Sequence, residues 1–98
     1  ILAQFKLKPE KQAEAEAALT EMVAAVEANE PGAVLYIAHR SQKDPTLITF
    51  FEAYADGDAF TAHTQTPHMA NLQRALAELA DLSTVRIERL DRIAGFVR

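Results

Sequence analysis

Apolar and polar residues alternate along this chain with two different periods, and the points where the period changes divide it into elements. Ile1 to Leu7 is short and apolar, with Leu2, Phe5 and Leu7 prominent, and predicts an opening strand. Lys8-Pro9-Glu10 follows; Pro suits a first helical turn, and Glu10 complements the helix dipole there. From Glu10 to about Asn29, Ala15, Leu19, Met22, Val23 and Val26 share one helical face, with Glu14, Glu21 and Glu27 turned away. Pro31-Gly32 ends that helix, Gly accepting a positive φ. Ala33 to Ser41 reads as a strand, Lys43-Asp44-Pro45 as a turn, and Thr46 to Ala55 as a third strand hairpinned to the second. Alternation places Ile48, Phe50, Glu52 and Tyr54 on one face and Leu47, Thr49, Phe51 and Ala53 on the other.

Asp56-Gly57-Asp58 is a turn, with Asp58 as N-cap of a short helix from Ala59 to about Gln65. Thr66 caps a second stretch that starts at Pro67 and carries Met69, Leu72, Leu76 and Leu79 at helical spacing to about Ala80. Ser83 to about Leu90 closes the set as a strand with Val85 and Ile87 inward, and Asp91 to Arg98 is a tail. The order β-α-β-β-α-β predicts an α+β fold, a ferredoxin-like antiparallel sheet with its helices on one side. The second and third strands are apolar on both faces, yet the helices of one domain cover only one. A homodimer joined through the sheet faces, a dimeric α+β barrel, would cover the other. The tail residues Ile93 to Val97 could then reach across the partner.

Composition narrows the functions available. Ninety-eight residues with no linker or repeat make one domain, 1–98, with no room for a separate cofactor domain. A net charge of −4 argues against nucleic acid as a partner. The longest apolar run, Ala33 to Ala38, is far short of the roughly 20 residues of a membrane span, so no membrane partner is expected. The opening residues lack the pattern of a signal peptide, which makes the cytoplasm the expected location. Without Cys there is no thiol nucleophile, iron–sulfur cluster or Cys-ligated zinc. The three glycines form no phosphate loop, and no Ser sits in a nucleophile elbow.

The remaining chemistry rests on three His, two Tyr and one strand carboxylate. Glu52 lies between Phe50 and Tyr54 on one face, where a buried charge is costly unless paired. His63 on the next helix is the nearest imidazole in sequence. Such a pair serves either as a base with a fixed tautomer or as a structural link between helix and sheet. Tyr36 and Tyr54 stand on central strands, as core or as pocket hydroxyls. His63 and His68 are five residues apart with Pro67 between, against the i, i+4 spacing of a helical zinc pair, so no metal is expected. An enzyme built from these groups would remove a proton from an acidic organic substrate.

Glu30-Pro31-Gly32, Tyr36, Phe51-Glu52-Ala53-Tyr54-Ala55-Asp56, Ala59-Phe60, Ala62-His63 and Thr66-Pro67-His68, in that spacing, resemble the antibiotic biosynthesis monooxygenase domain across about residues 5–90. The resemblance implies a ferredoxin-like subunit in a dimeric barrel. It implies oxidation of a quinol or phenolic small molecule by molecular oxygen, with no bound cofactor. Glu52 and His63 match the family's strand Glu and helix His and are the implied catalytic residues. Tyr36 matches the aromatic after the Glu-Pro-Gly turn, and Tyr54 a position where many members have Trp or Tyr. With Phe60 and His68 they are the implied substrate-binding set. Haem-degrading relatives use a Trp, an Asn and a His. This chain has no Trp, and Asn29 and Asn71 are not placed for that role. Two alternatives stay open: an isomerase or epimerase of a small hydroxy-carbonyl compound, and a non-catalytic ligand-binding, stress-type dimer.

Overall fold

The computed structural model describes residues 1–98. Its strands are β1 (Leu2–Leu7), β2 (Ala33–Arg40), β3 (Leu47–Tyr54) and β4 (Ala80–Glu88). Its helices are α1 (Gln12–Asn29), α2 (Gly57–Thr64) and α3 (Pro67–Leu79), with a 3-10 turn over Pro9–Lys11 before α1. The strands form one antiparallel sheet in the order β2-β3-β1-β4. Each helix-containing connection therefore joins two parallel strands across a strand inserted between them. That is the ferredoxin-like fold, as the element order predicts.

The core lies between the sheet and the helices. Alternate residues Phe5 and Leu7 on β1 and Ile48 and Phe50 on β3 meet Ala15, Leu19, Met22 and Val26 on α1. Leu72, Leu76 and Leu79 on α3 close it. The predicted helical stripe of α1 is the buried one, and the glutamates off it are exposed. No helix is long and apolar enough to cross a membrane.

Three local expectations are corrected. The cap of α2 is Asp56, whose carboxylate accepts the Ala59 N–H at 2.8 Å. Asp58 lies inside the first turn, because an N-cap side chain must reach the amide three residues on. Gly32 does not use a positive φ. A Cβ there would sit 2.7 Å from the Ala59 Cβ, so Gly is needed to let α2 approach the start of β2. β4 begins directly at the end of α3, and its register against β1 shifts between Gln4 and Lys6. Val85 and Ile87 do point to the helix side, Ile87 opposite Ala3, but they stay 43% and 62% exposed because a cavity lies beside them. Arg86 and Glu88 form an ion pair along β4.

The opposite side of the sheet carries no helix. Ile37 and Phe51 face each other across β2 and β3 there, 46% and 48% exposed, and the His39 ring lies against Phe51. The tail residues Ile93, Phe96 and Val97 are also open to solvent.

Candidate functional site

A polar cluster occupies one end of the helix–sheet interface. Its base is Glu30, the residue that ends α1. Its N–H donates to Val26 O and its carbonyl accepts from Ala33 N–H, so its backbone is pinned between helix and strand. A carboxylate at a helix C-terminus opposes the helix dipole and needs donors. Two imidazoles supply them. His63 Nδ1 lies 2.9 Å from Glu30 Oε1, and His68 Nε2 lies 2.5 Å from Glu30 Oε2.

His63 is in the last turn of α2 and His68 in the first turn of α3. Thr66, between them, caps α3 by accepting the Met69 N–H and donates to the His63 carbonyl. The Thr-Pro-His sequence thus turns the chain so that both rings converge on one carboxylate.

A carboxylate only accepts, so His63 Nδ1 carries the hydrogen of that contact. In the neutral ring this leaves the Nε2 lone pair free. The His63 side chain is 1% exposed, and Nε2 is the one buried side-chain polar atom without a hydrogen-bond partner. The ring stands between Tyr36 and Tyr54, with centroids 5.3 Å from each. Glu52 Oε1 lies 3.9 Å from Nε2, too far for a hydrogen bond. Tyr54 instead donates its hydroxyl to Glu52 Oε1 at 2.6 Å. Burial, helped by the nearby Glu52 and Glu30 charges, pushes the ionisation of Tyr36 well above the ordinary phenol range. Burial, then the hydrogen bond to Glu52, does the same to Tyr54. Both phenols keep their protons at neutral pH, and Tyr54 is the one that donates to Glu52.

A cavity of about 330 Å³ opens beside the cluster, between the sheet and helices α2 and α3. Tyr36, Glu52, Phe60 and His63 line it, within walls that are mostly apolar. Tyr54 and His68 do not reach it. Tyr54 backs Glu52, and its ring meets Phe60 edge-on at 5.3 Å. His68 backs Glu30 and faces a separate cleft between α1 and α3. A larger cleft of about 450 Å³ between α1 and β2 lies on the far side of Tyr36 and holds none of these polar partners except that ring. His63 and His68 meet on Glu30 through hydrogen bonds, and no three His, Asp or Glu side chains are arranged to hold a metal ion.

The sequence pairs Glu52 with His63; the structure gives the direct hydrogen bond to Glu30. Glu30 was legible only as part of a turn. Its signal was an acid placed where a helix end disfavours it, with two imidazoles later in the chain that could approach it.

The sequence profile described as antibiotic biosynthesis monooxygenase matches residues 1–75. A Caulobacter crescentus protein provisionally named an antibiotic biosynthesis monooxygenase is 31% identical, with a TM-score of 0.88 over 95% of this chain and 87% of that one. A Bacteroides thetaiotaomicron protein of the same provisional name has a TM-score of 0.88 at 23% identity, over 99% of this chain and 90% of that one. A Pseudomonas aeruginosa protein reaches 0.84 at 27% identity, over 95% of this chain and 91% of that one. None of the curated proteins matches the sequence. The profile covers more than half of the chain, and the fold agrees throughout: this chain belongs to the antibiotic biosynthesis monooxygenase family.

Proposed function

We propose that the cavity binds a phenolic or quinol-type small molecule and that His63 takes its proton, leaving the ring anion to react with molecular oxygen without a bound cofactor. The observation that carries this reading is the His63 Nε2 atom, buried and unpartnered on a residue that lines the cavity, while Glu30 fixes the other ring nitrogen. That is the arrangement of a base with a set tautomer. Protonation of Nε2 would create an imidazolium between the Glu30 and Glu52 carboxylates, so both support the charge that forms.

From a phenol with an activated methylene, His63 removes a C–H proton, and the resulting carbanion gives electrons to O2 and bonds to it. The peroxide recovers the proton from His63 and loses water to leave a carbonyl. One oxygen atom ends in the product and one in water. Tyr36 and Phe60 line the ring site, Tyr54 holds Glu52, and His68 holds Glu30.

Oxygen uptake with a panel of hydroquinones and phenols tests this. His63→Gln should lower the rate by about 100-fold or more, and Glu30→Gln by less. No uptake by the wild type, or an unchanged rate in His63→Gln, overturns it. Turnover of hydroxy-carbonyl compounds without oxygen would favour an isomerase instead. Binding with no turnover would favour a ligand carrier.

The same reading includes a homodimer through the open sheet face, supported by the exposed Ile37–Phe51 pair and the apolar tail. Sedimentation should give a dimer for the wild type and a monomer for Phe51→Asp. A wild-type monomer at micromolar concentration rules the dimer out.

A further inference from the structure

His63 and Glu52 both line the cavity, and a proton acceptor of each stands beside the other. One is His63 Nε2, which has no partner in the chain. The other is Glu52 Oε1, 3.9 Å away, whose side chain has Tyr54 as its one hydrogen-bond donor. Both side chains are more than nine-tenths buried, at 1% and 7% exposure. They cannot satisfy each other while His63 is neutral, because each then only accepts on the facing side. The rest of the cavity wall is largely apolar, and its other donor-bearing residues, Tyr36, Gln4, Thr64 and Gln73, bond to neither acceptor. A ligand must therefore bring the donors, and bring them close together.

A single phenol hydroxyl carries one proton and can satisfy only one acceptor. The hydroxyls of a para-quinol point in opposite directions, so only one can enter. Hydroxyls on neighbouring ring carbons lie about 2.7 Å apart, one hydrogen-bond length, and each can reach its own acceptor across the 3.9 Å gap. We propose that this site selects a vicinal dihydroxy aromatic, a catechol-type ring, with one hydroxyl on His63 Nε2 and its neighbour on Glu52 Oε1. The proposal rests on the reading of the cavity as a site for aromatic hydroxyls and sharpens it to one arrangement. His63 takes the proton, and Glu52 determines specificity by demanding the second donor.

Calorimetric titration of the whole chain under anaerobic conditions tests this apart from turnover. The ligands share one ring size: 2,3-dihydroxynaphthalene, 1,4-dihydroxynaphthalene, 2-naphthol and 2-naphthylmethylamine. The vicinal diol should bind about 10-fold or more tightly than each of the others, the worth of one extra hydrogen bond to a carboxylate. Glu52→Gln, close in shape, should reduce that advantage severalfold. Equal binding of the 1,4-diol or the monophenol overturns the proposal while leaving the aromatic-hydroxyl site standing. Tighter binding of the amine, or an advantage unchanged in Glu52→Gln, overturns it as well. No binding of any hydroxylated ring sinks both. Should Glu52→Gln not fold, the wild-type ranking alone decides.

Discussion

The two ends of the helix-facing side of the sheet obey the same alternation and carry opposite chemistry. On β3, Ile48 and Phe50 are each 2% exposed within the apolar core. Further along the same face, Glu52 and Tyr54 sit among Glu30, His63 and Tyr36. The apolar end buries no polar side chain and is held by packing. The polar end buries acceptors, and its carboxylates find donors: Glu30 in two imidazoles, Glu52 in a phenol. One acceptor, His63 Nε2, is left over. A buried polar group without a partner costs about 1–3 kcal/mol, and it persists here on a residue that lines a cavity. The difference between the ends teaches that burial alone does not mark a site. An unfinished hydrogen-bond account at a cavity wall does.

The sharpest way to break the comparison is at the apolar end. Ile48→Ala removes a side chain that is 2% exposed in the apolar core. It should cost about 3–4 kcal/mol of stability in urea unfolding, through lost transfer energy and the hole left behind. The cavity beside His63 lies outside that loss, so ligand affinity of the folded protein should stay within about threefold of wild type. A loss below about 1 kcal/mol would mean that this end relaxes freely, and the contrast with the polar end would fail.

How much of this could be read from the chain follows the same division. The apolar end was legible because periodicity reports burial directly: Ala15, Leu19, Met22 and Val26 on α1, and Ile48 and Phe50 on β3, lie where their spacing puts them. The fold order followed from that. At the polar end, Glu52, His63, Tyr36 and Phe60 stood out as anomalies or motif positions, and they do meet at one cavity. Their pairing was not legible. Which carboxylate takes His63 Nδ1 depends on how α1 ends and on how closely α2 approaches β2. Glu30 is 33 residues from His63 in the chain, and no local pattern links them. The role of Gly32 was likewise hidden. A positive φ is a local property that a turn motif suggests, whereas a close approach to Ala59 is a tertiary fact. Val85 and Ile87 alternate as core residues do, but a cavity lies where helix cover would complete their burial.

The smallest effect separates the two ends by pH. Burial and the bond to Glu52 raise the ionisation of Tyr54 above that of a free phenol. Tyr36 shifts in the same direction through burial. The folded chain thus holds these protons more tightly than the unfolded chain, where a phenol ionises near pH 10, at about its free value. Their stabilising contribution is complete below that pH and is lost as pH rises past it toward the folded-state value. Tyr54→Phe removes one such proton and its hydrogen bond. At pH 7 it should cost about 1 kcal/mol. Above about pH 10, its melting temperature should fall less steeply than that of the wild type, and the two curves should converge. Lysines titrate in the same range in both proteins and cancel in the comparison. Parallel curves to pH 11 would show that Tyr54 ionises as freely in the fold as outside it, and the polar end would lose the buried donor that holds Glu52 in place.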